Sequence, residues 1–241
     1  MELASRVQNR LEIEDLGRVS YAEAFRIQNA RHESVLAGRG EGDGPIGTVL
    51  LVEHDPVITV TRRPGVAEHV IATEAMLAQH GVTLADTDRG GDVTYHGPGQ
   101  LVVYPIVDLN RMNCRIIEYL RALEEIIIGV LSDVGVQGER DEGATGVWTR
   151  DGDEFAKVAA IGVRVRRWVT LHGLALNVDP DLAHFGLIVP CGLHGRPVTS
   201  LRRLMGDACP DMGRVKKLMV QRMTERFQTM ADEASVRRAG A

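Results

Sequence analysis

The stretch VAAIGVRVRRWVTLHGLALNV, residues 158–178, decides the fold class. It contains two strand-like apolar runs, 158–168 and 169–178, that follow one another with no helical pattern between them. Further strands are predicted at 48–52, 57–60, 101–107 and 146–149. Because the strands come in adjacent groups and do not alternate strictly with helices, the sequence predicts an α+β fold with a mixed or mostly antiparallel sheet.

Helix start and stop signals surround these strands. Ser20 and Glu23 form a capping box that opens a helix running to about residue 36. Thr73 caps a short helix that Gly81 should end. A long helix is predicted from near residue 113 to Gly135, and a last one over about 214–230. Since no repeat, linker or shift in composition divides the chain, we expect residues 1–241 to form a single domain in which the mixed sheet packs against helices.

The composition excludes several classes of protein. With 44% hydrophobic and 25% charged residues among 241, the chain is typical of a globular protein and not of a disordered or fibrous one. A net charge of −5 and 4% aromatic residues argue against a nucleic-acid-binding protein. No apolar run approaches the roughly 18 residues that span a bilayer, and the N-terminus does not resemble a secretory signal. We therefore expect neither nucleic acid nor membrane as a partner.

The three cysteines, Cys114, Cys191 and Cys209, are widely spaced and odd in number. They fit neither a disulfide framework nor a zinc site, and no spacing among the histidines fits one either. This usage predicts a reducing, cytoplasmic location and no bound metal.

A glycine-rich stretch, RGGDVTYHGPGQ at residues 89–100, is the first candidate for a ligand site. Its glycines allow the backbone to approach a ligand closely, although glycine alone would favour a tight hairpin. The side chains of Arg89, Tyr95 and His96 in the same loop favour the ligand site. The spacing matches neither the P-loop nor the dinucleotide fingerprint, so a nucleotide phosphate is not indicated.

The second candidate is Cys191, which lies between Pro190 and Gly192. This context excludes a helix interior and a central strand, so the thiol should lie on a constrained turn. Cys191 is therefore the best of three candidate nucleophiles, whereas Cys114 and Cys209 are expected to be inert. A thiol with a pKa near 8.5 needs a partner that ionises it. From the residues alone, this partner could be His96, His172, His194 or Lys157. For Lys157, however, the favoured interpretation is a solvated strand end.

Several motifs together resemble the octanoyltransferases of lipoate biosynthesis, also called lipoyl(octanoyl) transferases. The matching segments, in the family's order, are 53–56, 89–100, 157–162, 171–177, 190–192 and 199–201. They lie within residues 48–204, which is most of the chain. One position departs from the family pattern, because Thr61 stands where a glycine is expected. His194 lies in a segment that the family leaves variable.

The resemblance implies a fold similar to the catalytic domains of biotin and lipoate protein ligases, which are class II synthetase-like. It implies a cysteine–lysine dyad, in which Cys191 forms an acyl-thioester and Lys157 lowers the pKa of its thiol. His172 would be a supporting group near the thiol, as would His96. The residues implied to line the acyl pocket are Arg89, Gly90, Gly91, Asp92, Val93, Thr94, Tyr95, His96, Ala160, Ile161, Gly162, Gly173, Leu174 and Ala175.

The implied reaction moves an octanoyl group from octanoyl-acyl carrier protein to a specific lysine of lipoyl domains, without a cofactor. The acceptors would be E2 subunits of 2-oxoacid dehydrogenases and the H protein of glycine cleavage. Because both partners are acidic and the chain is too, we expect a local basic patch to bind them. Its candidate residues are Arg62, Arg63, Arg164, Arg166, Arg167, Arg202 and Arg203.

Two other functions remain as alternatives. An ATP-dependent lipoate or biotin protein ligase on the same fold would need ATP and Mg²⁺ and no thiol. The second alternative is a non-catalytic module that binds acyl carriers. Such a module does not need Lys157 or Cys191, so the presence of both argues against it.

Overall fold

The computed structural model describes residues 11–40, 44–189 and 196–239. In this part of the chain the strands are β1 (Leu11–Val19), β2 (Gly47–His54), β3 (Val57–Thr61), β4 (Thr83–Thr87), β5 (Val93–His96), β6 (Gln100–Val107), β7 (Val147–Asp151), β8 (Glu154–Arg166) and β9 (Val169–Asn177). Six of them form one sheet in the order β1-β2-β6-β9-β8-β7. Only the pair β1–β2 in that sheet is parallel, so the predicted mixed, mostly antiparallel sheet is confirmed.

Helices cover both faces of this sheet. The helices of the described residues are α1 (Tyr21–Ala37), α2 (Glu74–His80), α3 (Ile116–Asp133), α4 (Leu201–Met205) and α5 (Met212–Ala239). Along β2 the side chains alternate between faces. Leu51 packs in the core with α3 and α5, whereas Leu50 packs on the opposite side with Ala24 of α1. The long helix α3 therefore lies on one face and α1 on the other. None of the described helices is long and apolar enough to cross a membrane.

A second, three-stranded sheet in the order β4-β3-β5 carries the glycine-rich stretch. Its own core contains Ile58, Val93 and Tyr95, with Leu77 of α2 packed against them. The loop between β4 and β5 reaches the large sheet, where the backbone N–H of Gly90 donates to the carbonyl of Val163 at 2.8 Å. This contact joins the two sheets at the place where the cavity described below opens.

The predicted helix ends are confirmed at four places. Ser20 caps α1 by accepting from the backbone of Glu23, and Thr73 caps α2 by accepting from Met76. Gly81 ends α2 in the left-handed conformation, with φ of 63°. Gly135, just beyond α3, also has a positive φ of 84°. These ends are encoded locally, since each one depends on a side chain or a glycine within one turn.

The strands β1, β4 and β5 were not predicted from the sequence, and two predicted elements differ in detail from the structure. A proline within a strand, such as Pro105, is expected at a sheet edge or a bulge, but Pro105 lies in the interior strand β6. The ladder between β6 and β9 ends at the pair Val103–Leu174, so the missing N–H of Pro105 breaks no bond to β9. Helix α5 extends past the predicted residue 230 because Ala234 is still fully buried.

Candidate active site

A cavity of about 480 Å³ opens between the two sheets. Its walls come from the loop at residues 89–91, the strands β5, β6, β8 and β9, the first turn of α3 and the loop at residues 143–145. This volume falls in the range of sites for small molecules, about 300–1,000 Å³. The cavity is the candidate binding site for a substrate.

Most of the residues expected at the acyl pocket line this cavity. They are Arg89, Gly90, Gly91, Thr94, His96, Ala160, Ile161, Gly162, Gly173, Leu174 and Ala175. Lys157, expected as the catalytic partner, and His172, expected as a supporting group, line the cavity as well. Cys191, the expected nucleophile, and His194 lie outside the described residues. The structure thus brings the glycine-rich stretch, Lys157 and two segments of the large sheet to one place.

Three expected residues do not line the cavity. Successive side chains of a strand point to opposite faces, and in β5 it is Thr94 and His96 that face the cavity. Val93 and Tyr95 instead lie in the core of the small sheet, with 0% and 1% of their surface exposed. Asp92 lies 2.7 Å from the Nδ1 atom of His69. Alternation along β5 therefore divides this part of the motif between the cavity and the core.

Several lining residues were missed by the sequence analysis. They are Tyr21, Val102, Tyr104, Ile116, Leu120, Gly143, Ala144, Thr145 and Val163. Strand periodicity could have indicated Tyr104, because it follows Val102 by two positions in β6. No sequence signal pointed to Tyr21, which comes from the first turn of α1 on the other side of the sheet.

Lys157 lies in a well-defined environment at the cavity wall. Its Nζ atom donates to the carbonyl oxygen of Thr145 at 3.1 Å. The same atom lies 4.8 Å from the centroid of the Trp148 ring, within the distance of a cation–π contact. The Arg196 Cζ atom lies 3.9 Å from that centroid, and its guanidinium pairs with Asp141 at 2.5 Å. The solvated strand end that the residues alone favoured is therefore not what the structure shows.

The chain that leaves the Cys191 segment pairs directly with Lys157. The backbone N–H of Lys157 donates to the carbonyl of Pro197 at 2.9 Å, and the N–H of Thr199 donates to the carbonyl of Lys157 at 3.0 Å. On the other side of that segment, Val189 donates to the carbonyl of His69 at 2.8 Å. The chain after the segment is thus attached to the cavity wall at Lys157, and the chain before it is attached to His69.

Two buried histidines, His96 and His172, line the cavity, and a third, His54, contacts the lining residue Tyr104. His54 contacts the carbonyl of Val19 through Nδ1 at 3.0 Å and the hydroxyl of Tyr104 through Nε2 at 2.7 Å. Because a carbonyl only accepts, Nδ1 carries the hydrogen and Nε2 accepts from Tyr104. Burial lowers the pKa of His54 to about 4 and raises the pKa of Tyr104 well above its ordinary value. Both side chains are therefore neutral at physiological pH.

His172 occupies a strained position on β9. Its φ is 57°, which is rare for a residue with a Cβ atom, and its backbone N–H donates to the Gln28 side chain at 2.9 Å. The ring lies 2.7 Å from a carboxylate oxygen of Asp88 through Nε2. Burial, together with Arg89 and Arg164, lowers the pKa of His172 to about 3, so the neutral ring donates to Asp88.

Arg89 fixes the glycine-rich loop in place. Its guanidinium donates to the Thr59 side chain and to the carbonyl of Asp92, each at 3.0 Å. Thr61, which replaces the expected glycine, donates from its hydroxyl to the carbonyl of Gly91 at 3.3 Å. A glycine has no side chain to make this contact, so Thr61 adds a hydrogen bond to the glycine-rich loop that the family pattern lacks.

The expected basic patch is largely neutralised by carboxylates. Five of its arginines form ion pairs, namely Arg62 with Asp86, Arg164 with Asp88, Arg166 with Glu33, Arg202 with Asp179 and Arg203 with Asp151. A net positive surface at these five positions is therefore not present. Among the described residues, no group of three or more His, Cys, Asp or Glu is placed to hold a metal ion.

Solved structures of lipoate and biotin protein ligases share this fold. A bipartite lipoate protein ligase from Thermoplasma acidophilum has a TM-score of 0.67 at 17% identity and covers 94% of this chain and 92% of its own. A lipoate-protein ligase A crystallised with ATP has a TM-score of 0.66 at 16% identity, covering 93% of each chain. The biotin protein ligase of Aquifex aeolicus, in complex with biotin and ATP, has a TM-score of 0.53 at 13% identity, covering 93% of this chain and 72% of its own. At these identities the likeness shows the fold alone, and it confirms the expected fold class.

The similarity in sequence is much higher to octanoyltransferases. That of Chloroflexus aggregans is 48% identical over 202 residues, covering 83% of this chain and 87% of its own. The octanoyltransferase of Geobacter metallireducens is 43% identical over 221 residues, covering 92% of this chain and 93% of its own. A sequence model described as the lipoyl protein ligase A/B catalytic domain matches residues 20–224. On these grounds the chain belongs to the lipoyl protein ligase A/B catalytic domain family and, within it, to the octanoyltransferases, the acyltransferases of lipoate biosynthesis.

Proposed function

We propose that this chain transfers an octanoyl group from octanoyl-acyl carrier protein to a specific lysine of a lipoyl domain, through an acyl-thioester on Cys191. The acceptors proposed are E2 subunits of 2-oxoacid dehydrogenases and the H protein of glycine cleavage. Membership in the octanoyltransferase family supports octanoyl as the group that is transferred. The donor and the acceptors are those that the family resemblance implies, and a cysteine with a lysine partner can carry out the transfer between them.

One observation carries the proposal more than any other. Lys157 lies at the cavity wall, and its backbone pairs with Pro197 and Thr199, six and eight positions after Cys191. The described chain therefore resumes beside Lys157, at the cavity wall, a few positions after Cys191. This arrangement supports Lys157 as the base that takes the proton of Cys191.

In the first step the Cys191 thiolate attacks the thioester carbon of the donor. The new carbon–sulfur bond forms as the bond to the carrier's pantetheine sulfur breaks. The ammonium of Lys157 returns its proton to the departing sulfur. Because one thioester replaces another, this step is nearly balanced in free energy.

In the second step the amine of the acceptor lysine attacks the acyl-Cys191 thioester. A carbon–nitrogen bond forms, and Cys191 leaves as a thiolate. The amine nitrogen gives its proton to Lys157, which restores the ion pair for the next cycle. Because an amide is more stable than a thioester, this step draws the reaction forward.

The cavity suits a medium-length alkyl chain. Its walls include four small residues on adjacent strands, Ala160 and Gly162 on β8 and Gly173 and Ala175 on β9. Small side chains leave space for the tail, and the neighbouring Ile161 and Leu174 make the wall apolar. We propose that the octanoyl tail lies against these strands.

We also propose that residues 1–241 act as one catalytic domain. The family match over residues 20–224 supports this, since it covers most of the chain without a break. A cytoplasmic location, expected from the cysteine usage, would supply both proposed protein substrates in a reducing compartment.

The test is the intact mass of the protein after mixing with octanoyl-acyl carrier protein in the absence of ATP. We expect an octanoyl adduct that hydroxylamine removes and that Cys191→Ser abolishes. Lys157→Met should slow adduct formation about 100-fold, the lower end of the range for a catalytic base.

The matched control is Cys209→Ser. Burial raises the pKa of the Cys209 thiol, so this cysteine holds less thiolate, and its replacement should leave the adduct unchanged. An adduct that survives in Cys191→Ser would contradict the proposed nucleophile. If instead a lipoyl domain is acylated only with ATP and free octanoate or lipoate, the reaction is that of a ligase. No acylation under either condition would favour a non-catalytic module.

A further inference from the structure

A chain of hydrogen bonds lies behind His96 and connects it to the backbone near Lys157. The Nδ1 atom of His96 lies 2.7 Å from Oε1 of Gln100. The Nε2 atom of Gln100 donates to Oδ1 of Asn177 at 2.9 Å, and Nδ2 of Asn177 donates to the carbonyl of Thr199 at 3.0 Å. Gln100 and Asn177 face each other across β6 and β9 and are almost fully buried.

Two backbone carbonyls fix the direction of every bond in this chain. The carbonyl of Thr199 only accepts, so the amide nitrogen of Asn177 must face it and the oxygen of Asn177 must face Gln100. Gln100 then donates to Asn177 and also to the carbonyl of Tyr95 at 3.3 Å. Its oxygen is thereby turned to His96, and the hydrogen between them belongs to Nδ1 of the imidazole.

The opposite nitrogen of His96 is consequently an acceptor. His96 lines the cavity and is 7% exposed, and burial lowers its pKa to about 3, so the ring is neutral with a lone pair on Nε2. Within the described residues, no hydrogen bond to this nitrogen is found. An alkyl chain and a thioester carbonyl have no hydrogen to donate. Two of the groups that the proposed reaction brings to the cavity can donate a hydrogen bond. They are the attacking amine and the amides of the carrier's pantetheine arm.

We propose that Gln100 and Asn177 are positioning residues that hold His96 with its hydrogen on Nδ1, so that Nε2 accepts a hydrogen bond from the attacking amine of the acceptor lysine. This inference deepens the proposed function and rests on it. The contact orients the amine so that its lone pair faces the thioester carbon. His96 takes no proton in the step, because the amine proton passes to Lys157 as the carbon–nitrogen bond forms and the carbon–sulfur bond breaks.

The tautomer is tested by nitrogen NMR on protein labelled with ¹⁵N-histidine. We expect His96 to carry its hydrogen on Nδ1 in the wild type. Gln100→Leu removes the acceptor and should shift the hydrogen to Nε2, whereas Gln100→Glu keeps an acceptor and should retain it on Nδ1. A wild-type His96 with its hydrogen on Nε2 overturns the inference.

The role in catalysis is tested by separating the two half-reactions. With preformed acyl-enzyme, Gln100→Leu should slow transfer to a lipoyl domain about tenfold, the factor that corresponds to one lost hydrogen bond. Formation of the acyl-enzyme should stay within about twofold of wild type, because that step brings no amine to His96. The matched control is Gln221→Leu, since Gln221 is exposed and donates to Glu225 on the same helix, far along the chain from His96.

A pH profile separates positioning from general damage to the structure. In Gln100→Glu a carboxylate faces the imidazole and raises its pKa, so transfer should become slower at acidic pH where His96 is protonated. A merely structural role would not produce this new dependence. Equal slowing of both half-reactions by Gln100→Leu overturns the inference. Slowing of acyl-enzyme formation alone also overturns it and would assign the contact to the first half-reaction. If wild-type protein forms no acyl-enzyme at all, the proposed function itself fails.

Discussion

The Nζ atom of Lys157 lies 4.8 Å from the centroid of the Trp148 ring. The ring is 1% exposed, and its Nε1 atom donates to the carbonyl of Ala144 at 3.4 Å. Thr145, one residue further, supplies the carbonyl that Lys157 contacts at 3.1 Å. Trp148 therefore holds both the lysine and the loop that accepts its hydrogen bond.

Removing the aromatic face of Trp148 should slow acyl-enzyme formation. A cation–π contact contributes about 0.5 to 2 kcal/mol, so we expect Trp148→Leu to slow the step by up to roughly tenfold. Trp148→Phe keeps an aromatic face and should stay within about threefold of wild type. The rate is measured by quenching the reaction and recording intact mass. If Trp148→Leu folds and acylates at the wild-type rate, the ring does not position Lys157.

Gly173 should not tolerate even one added carbon. A Cβ atom at this position would lie 2.2 Å from the carbonyl oxygen of Val103 and 2.6 Å from Pro105 Cδ. Both belong to the neighbouring strand, so β6 and β9 would have to separate. We expect Gly173→Ala to lower the free energy of unfolding by about 3 kcal/mol, at the upper end for overpacking.

Urea unfolding measures this change, and Gly186→Ala is its control. A Cβ atom at Gly186 meets nothing within 4 Å, so that variant should unfold with nearly the wild-type midpoint. If Gly173→Ala is as stable as wild type, β6 and β9 can move apart at little cost in the free energy of unfolding. Since Gly173 also lines the cavity, the same variant should lose octanoyl transfer.

The sequence could predict those elements that short-range signals determine. The helix from Glu74 to His80 is an example, because Thr73 and Gly81 define both of its ends. Strand β1 is the opposite case. Its residues, LEIEDLGRV, contain no apolar run, and the strand forms because it pairs in parallel with β2. That pairing depends on contacts between residues about 35 positions apart, such as Leu11 with Gly47.

The same distinction between short-range signals and long-range pairing applies to the candidate active site. Lys157 and His96, which the family motifs single out, both line the cavity. The motifs did not separate Thr94 from Tyr95, because that requires knowing that residues 93–96 form a strand paired with β3. The hydrogen bond from Gln100 to Asn177 joins positions 77 apart, so only the folded sheet brings those two amides together.

Buried neutral histidines should make the protein sensitive to acid. The pKa of His54 falls from 6.5 to about 4 on folding, chiefly through burial. As the pH falls from about 6.5 to 4, the unfolded chain therefore takes up a proton at His54 that the folded protein does not. The free energy of unfolding should decrease over this range, by at most about 1.4 kcal/mol per pH unit for this group. His96 and His172 act in the same direction, because burial lowers the pKa of each to about 3.

Urea unfolding at pH 5, 6 and 7 tests the contribution of His54 directly. In His54→Gln the amide can donate to Val19 and accept from Tyr104 without titrating, so the pH dependence should become shallower. The exposed His80→Gln is the control and should keep the wild-type slope. An unchanged slope in His54→Gln would show that this histidine is not held neutral by folding.

The turn between β8 and β9 should gain stability from a change of two residues. Arg167 and Trp168 have φ of 54° and 65°, and the flanking residues Arg166 and Val169 pair with each other. A two-residue turn with both φ positive strongly favours Asn-Gly, and each ordinary residue there costs about 1–2 kcal/mol. The turn is nevertheless held, because Arg39 donates to the carbonyl of Arg167 and Leu109 donates to that of Trp168 at 2.8 Å.

We therefore expect the double variant Arg167→Asn, Trp168→Gly to raise the free energy of unfolding by about 1 kcal/mol, because it removes backbone strain and leaves both backbone contacts intact. The ring of Trp168 is 48% exposed, so its loss costs little packing. Thermal and urea unfolding provide the measurement. Trp168→Ala is the matched control, since it removes the same ring but keeps a Cβ atom in the left-handed conformation. If Trp168→Ala stabilises the protein as much as the double variant does, loss of the exposed ring is the cause and backbone strain is not.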